Sequence, residues 1–94
     1  MLFAAICLDK PNGLNLRLST RPAHLAFLEA NAARIKLGGP FLDIEDRPVG
    51  SLLILECVDF ASARALLYQD PYAKAGLFAS VELRPFRRVV GAEL

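Results

Sequence analysis

The sequence predicts an α+β domain with the element order βαββαβ, and three observations predict it. Two runs, Leu2–Leu8 and Ser51–Cys57, are apolar at nearly every position and too short for helices. They read as central strands covered on both faces. Leu25, Leu28, Ala32 and Ile35 are spaced three, four and three apart, and Phe60, Ala63 and Leu67 repeat that periodicity later; each set makes one helical face. Finally, Ala79, Val81 and Leu83 alternate with Ser80, Glu82 and Arg84, the period-2 pattern of a half-buried strand.

In chain order, the first strand ends at Asp9-Lys10-Pro11-Asn12-Gly13, a strong turn signal. Leu14–Leu18 reads as loop. Ser19 and Thr20 are candidate caps for the first helix, with Pro22 in its first turn, where a missing N–H is harmless. Glu29, Arg34 and Lys36 take the outer side, and Gly38-Gly39-Pro40 stops the helix. Phe41–Ile44 is a short strand, residues 45–50 a turn, and Ser51–Cys57 the third strand. Asp59 caps the second helix, which must end by Asp70 because the residue before Pro71 is pushed out of the α region. The last strand spans about Leu77 to Pro85, with Pro85 suited to an edge. The tail from about Arg87 is expected to fray.

This is the ferredoxin-like split βαββαβ unit, an antiparallel four-stranded sheet with two helices on one face. The chain, 94 residues long, forms a single domain over 1–94 and is marginal alone. Yet 54% of its residues are hydrophobic, against a usual ~45–50% apolar. Two helices cover only one sheet face, so the apolar runs need a second cover. The expectation is a homodimer packed sheet to sheet through the open face. A net charge of +1 points to neither nucleic acid nor an anionic membrane, and no apolar run approaches a membrane span. The apolar start lacks a basic n-region, so a cytoplasmic protein is expected. Cys7 and Cys57 sit inside apolar runs and read as small buried hydrophobes. No metal-ligand cluster and no phosphate loop is present in the sequence, and no cofactor is expected.

The chemistry concentrates at two places. His24, the sole histidine, lies beside the first helical face near the expected helix start, where the dipole favours a neutral imidazole suited to act as a base. A capping or packing histidine is the bland alternative. Asp70 stands at the expected end of the second helix, where a carboxylate opposes the helix dipole; an Asp-Pro turn explains it equally well. In the predicted unit the two helices run antiparallel, so both positions fall at one end of the helical layer. A carboxylate bonded to one imidazole nitrogen holds the tautomer and stabilises the imidazolium. Ser51 and Tyr72 can line a pocket and hydrogen-bond a substrate oxygen, and Arg21 can bind a substrate carboxylate. Arg84, Arg87 and Arg88 read as solvated surface.

Arg21-Pro22-Ala23-His24-Leu25, then Gly39-Pro40, Gly50-Ser51, Asp70-Pro71-Tyr72 with Ala75-Gly76, and Arg84-Pro85-Phe86 together resemble the YciI-like (YCII-related domain) family. The resemblance runs through nearly the whole chain. It implies a dimeric α/β barrel similar to that of muconolactone isomerases and antibiotic-biosynthesis monooxygenases. It also implies an active-site cleft in which the family's His and Asp fall on His24 and Asp70. One characterised branch of that family acts as a dehydrochlorinase on a chlorinated hydroxyquinol-type ring; what carries over is the His–Asp pair, not that substrate. The loop Glu45–Val49 is short beside those of some members. The expectation is therefore a small cofactor-independent enzyme using His24 and Asp70 for proton transfer in an elimination or isomerisation of a small polar molecule. The alternative is a non-catalytic ligand-binding or structural dimerisation module.

Overall fold

The computed structural model describes residues 1–94 and shows seven elements. They are β1 (Leu2–Asp9), α1 (Leu14–Ala30), β2 (Ile35–Leu42), β3 (Pro48–Glu56), α2 (Phe60–Leu67), α3 (Pro71–Lys74) and β4 (Phe78–Phe86). The strands form one antiparallel sheet in the order β2-β3-β1-β4. The α+β class and the ferredoxin-like order match the sequence expectation. No helix is long and apolar enough to cross a membrane.

Alternation sorts β1 into two rows. Phe3, Ala5 and Cys7 are fully buried under the helices. With Leu53 and Leu55 of β3 and Ala63, Leu66 and Leu67 of α2 they make the core, against which Phe27 and Leu28 of α1 pack. Asp9 continues this helix-facing row at the end of β1. The opposite row, Leu2, Ala4, Ile6 and Leu8, lies beside Leu52 and Ile54 of β3 on the open face. On that face β4 contributes Ser80, Glu82 and Arg84. Cys7 and Cys57 are free thiols and buried.

Three local expectations are corrected. The first helix begins at Leu14, not near Ser19, so Leu14–Leu18 is helix rather than loop. Gly13 takes the N-cap position without a side-chain bond. Ser19 caps nothing; its hydroxyl donates to the Leu16 carbonyl at 3.1 Å. Pro22 lies inside the helix, where it removes the amide that Leu18 would otherwise receive. The pattern hid this because the buried stripe that extends α1 is polar. Leu14, Arg17, Arg21, His24 and Leu28 are spaced three, four, three and four apart, with Arg17 and His24 buried.

Secondly, α1 ends at Ala30, and Asn31 caps it by donating from Nδ2 to the Phe27 carbonyl at 2.9 Å. Ala32 falls in the turn and Ile35 opens β2. Gly38-Gly39-Pro40 is therefore strand, not helix stop. β2 is an edge strand, which tolerates Pro40. A Cβ at Gly38 would lie 2.8 Å from Leu53 Cδ2, so glycine lets this strand approach β3. Thirdly, β3 starts at Pro48, earlier than Ser51. The preceding turn is closed by Asp43, whose Oδ1 accepts the amides of Glu45 at 2.8 Å and Arg47 at 3.0 Å.

The second half follows expectation more closely. Asp59 caps α2, accepting the Ser62 amide at 2.8 Å, and α2 ends at Leu67, before Asp70. The short α3 was not anticipated. Residues beyond Phe86 carry no helix or strand.

Candidate active site

His24 sits in the interior of α1, not at its start, so the helix N-terminus does not act on its ring. Asp70 is the N-cap of α3, not the C-terminal end of α2. Its carboxylate therefore satisfies its local backbone instead of opposing it: Oδ1 accepts the Tyr72 amide at 2.9 Å. The same oxygen meets His24 Nδ1 at 2.8 Å. The two side chains thus join, though through α1 and α3 rather than through the ends of α1 and α2.

The pair is buried, with side-chain exposures of 9% and 0%. Oδ1 already accepts one amide, so the hydrogen between it and the ring belongs on Nδ1. That leaves the Nε2 lone pair, which has no protein partner. The second carboxylate oxygen, Oδ2, is buried without a hydrogen bond, a deficit of roughly 1–3 kcal/mol.

Tyr72 lies parallel to the imidazole, with ring centroids 4.0 Å apart and an interplanar angle of 18°. The Arg17 guanidinium covers the ring of Tyr72, 4.5 Å from its centroid. Tyr72 is sandwiched between cation and imidazole, which orients both. Burial pushes the Tyr72 phenol up, and Arg17 only partly opposes that, so the phenol is neutral.

Arg17 and Asp9 were not among the residues expected from the sequence. Arg17 Nε and Nη2 bond Asp9 Oδ2 and Oδ1 at 2.7 and 2.9 Å, and Nη2 also donates to Ser51 Oγ at 2.8 Å. Burial disfavours the Arg17 charge, but the bidentate Asp9 carboxylate overrides it and raises the guanidinium above its ordinary range. The signals were present. Arg17 belongs to the three-four stripe of α1, and Asp9 to the helix-facing row of β1. Reading Leu14–Leu18 as loop concealed the first.

These groups face a cavity of about 360 Å³ between α1, β2 and β3. Arg17, Arg21, His24, Ser51 and Tyr72 supply its polar wall, and residues such as Leu28 and Leu53 its apolar wall. Arg21 is exposed and has neither a hydrogen bond nor an ion pair. Ser51 is 2% exposed and pairs with Cys7 on one side and Pro40 on the other. Asp70 stands behind His24 and does not line the cavity. The arrangement can remove or return a proton at Nε2 while Asp70 balances the imidazolium.

Residues 1–87 match the family model of the YCII-related domain. Protein YciI of Escherichia coli O6:H1 is 34% identical over 97 residues, covering 95% of this chain and 99% of that protein. An uncharacterised protein of Haemophilus influenzae is 34% identical with the same coverage. Among solved structures, 5-chloro-2-hydroxyhydroquinone dehydrochlorinase from Burkholderia phenoliruptrix AC1100, in complex with 2,5-dihydroxybenzoquinone, is similar at a TM-score of 0.87 and 35% identity. The match covers 93% of this chain and 94% of that one. The chain belongs to the YCII-related domain family.

Proposed function

We propose that the protein is a small cytoplasmic, cofactor-independent enzyme that moves a proton on a small polar organic molecule, in an elimination or isomerisation. The observation that carries this reading is the buried 2.8 Å bond between His24 Nδ1 and Asp70 Oδ1, with Nε2 left free beside the cavity. His24 is the general acid/base and Asp70 orients it; Arg21, Ser51 and Tyr72 hold the substrate. In an elimination, Nε2 takes the proton, the C–H pair becomes the new double bond, and the leaving group departs with its own pair. The similar Burkholderia enzyme is a dehydrochlorinase, which supports this class of reaction. General acid–base help of this kind contributes ~10²–10⁴ in rate.

The test is a substrate screen that includes halogenated hydroxyquinols, followed by His24→Ala on the substrate found. A loss of about 10²–10⁴ in kcat is expected in the folded variant, together with a lower melting temperature, because the buried Asp70 carboxylate loses its partner. Full activity in the variant ends the His24–Asp70 mechanism, and binding without turnover across the panel marks a ligand-binding module instead.

The working unit is a homodimer. The support is the open face of the sheet, where Leu2, Ala4, Ile6 and Leu52 lie only half-buried in the single chain, around a buried Ile54. Light scattering at micromolar concentration is expected to give twice the 10.3 kDa chain mass; a single-chain mass overturns the dimer.

A further inference from the structure

We propose that Ser51 is the oxyanion donor of this cavity, aimed by the Asp9–Arg17 pair, so that the site takes molecules whose phenol, enol or carbonyl oxygen carries or gains negative charge. This deepens the proton-transfer reading and relies on it only for the direction of the chemistry.

A guanidinium has no acceptor, so the 2.8 Å contact from Arg17 Nη2 to Ser51 Oγ runs in one direction. It occupies a lone pair of the hydroxyl and leaves the O–H unspent. No protein group accepts that hydrogen, and Ser51 borders the cavity with Gly38, Pro40 and Leu53, none of which has a side-chain acceptor. The donor behind it cannot turn away. Nε and Nη2 are both held by Asp9, and the guanidinium plane lies over Tyr72. The result is a charge-assisted chain, carboxylate to guanidinium to hydroxyl, with its last hydrogen offered to the cavity. Such a preset donor stabilises developing oxygen charge without reorganising.

The field of the cavity suits an anion as well. No Asp or Glu lines it. The two nearby carboxylates, Asp9 and Asp70, are engaged by Arg17 and His24. Arg21 adds a positive charge without a counter-ion. When Nε2 removes a proton from the carbon next to a carbonyl, the C–H pair becomes a C=C bond, the carbonyl π pair moves onto the oxygen held by Ser51, and the proton stays on the imidazole facing Asp70.

The probe is 4-nitrophenolate, compared with nitrobenzene, by equilibrium absorbance titration. The wild type is expected to prefer the phenolate, and Ser51→Ala to cut that preference about 10–100-fold while leaving nitrobenzene affinity unchanged. Arg17→Lys, which keeps the charge and loses the fork, is expected to lower the preference too. If Ser51→Ala does not fold, Ser51→Cys replaces the hydroxyl with a weak donor and is expected to show the same loss. An unchanged preference, or an equal fall for both probes, makes Ser51 only a structural partner of Arg17 and overturns the proposal. A preference abolished by His24→Ala and kept by Ser51→Ala overturns it as well. Turnover that survives His24→Ala sinks only the earlier reading, because this binding is measured without turnover.

Discussion

Two buried ion pairs stand on either side of Tyr72, and they are built differently. Arg17–Asp9 is saturated: both carboxylate oxygens and two guanidinium nitrogens are engaged, and Ser51 takes a further bond. His24–Asp70 is lopsided: Oδ1 carries two bonds and Oδ2 none, while one imidazole nitrogen stays free. The carboxylate of this saturated pair has both oxygens taken, and Arg17 presents to the cavity only its charge and N–H donors, with no proton to give up. The pair acts as framework and field. A pair with an idle nitrogen at a cavity wall is available for proton transfer. The contrast separates positioning from chemistry within one small site.

The largest effect that tests this contrast is on stability. Asp9→Ala strands a buried guanidinium and is expected to cost about 3–5 kcal/mol, read as a fall in melting temperature of roughly 4–8 °C for each kcal/mol. Asp9→Ala combined with Arg17→Met is expected to recover much of that loss, since it removes the orphaned charge. No recovery would mean that the pair is not framework.

Asp70→Asn is expected to do the reverse. The amide oxygen can still accept from Tyr72 and His24, so stability changes by no more than about 1–1.5 kcal/mol, while kcat falls by about 10²–10⁴. Nitrogen-resolved NMR of the single imidazole checks the cause independently: the Nδ1–H tautomer is expected to dominate in both proteins, so the fall in kcat reports the missing carboxylate charge and not a changed tautomer.

A pH-dependent effect reports on the buried floor beside both pairs. Burial, and next the Asp70 charge, push the Cys7 thiol from its ordinary 9.0 up to about 12, with Arg17 opposing and Asp9 adding. A thiol is neutral when protonated, so raising its folded value stabilises the fold fully below about pH 9. Between about pH 9 and 12 the unfolded chain releases the proton that the folded chain keeps, and this contribution is lost by at most about 1.4 kcal/mol per pH unit. Urea melts across this range are expected to show a steeper alkaline decline in the wild type than in Cys7→Ala. Parallel declines would mean that burial does not hold the Cys7 thiol protonated in the folded chain.

Much of the fold was legible because strands and cores write a plain pattern. Leu2–Leu8, Ser51–Cys57 and the alternation after Ala79 each fell where strands lie, and the Asp59 cap and the end of α2 were marked by local chemistry. The first helix departs from its expected start for a physical reason. Its inward stripe is built from Arg17, Arg21 and His24, of which Arg17 and His24 are buried, so it carries no apolar periodicity. Gly38-Gly39-Pro40 differs for a related reason: glycine and proline punctuate a helix locally, yet an edge strand tolerates Pro40, and Gly38 lies against Leu53.

For the site, the sequence by itself determined the kinds of groups: one imidazole, an Asp before Pro71, a serine at the glycine-led start of a buried run. Asp9 and Arg17 stand at periods of two and of 3.6 on buried faces, but with Asp9 read as turn and Leu14–Leu18 as loop neither is assigned to the site from the sequence. Only the tertiary structure decided which of them meet. His24 and Asp70 are 46 positions apart, and Arg17 and Ser51 34 apart. Hydrogen bonds reach about 3 Å, so partners that far apart in the chain are chosen by how helices settle on the sheet, not by any local preference. That settling is why Asp70 caps a turn instead of ending a helix, and why Arg17 reaches Ser51.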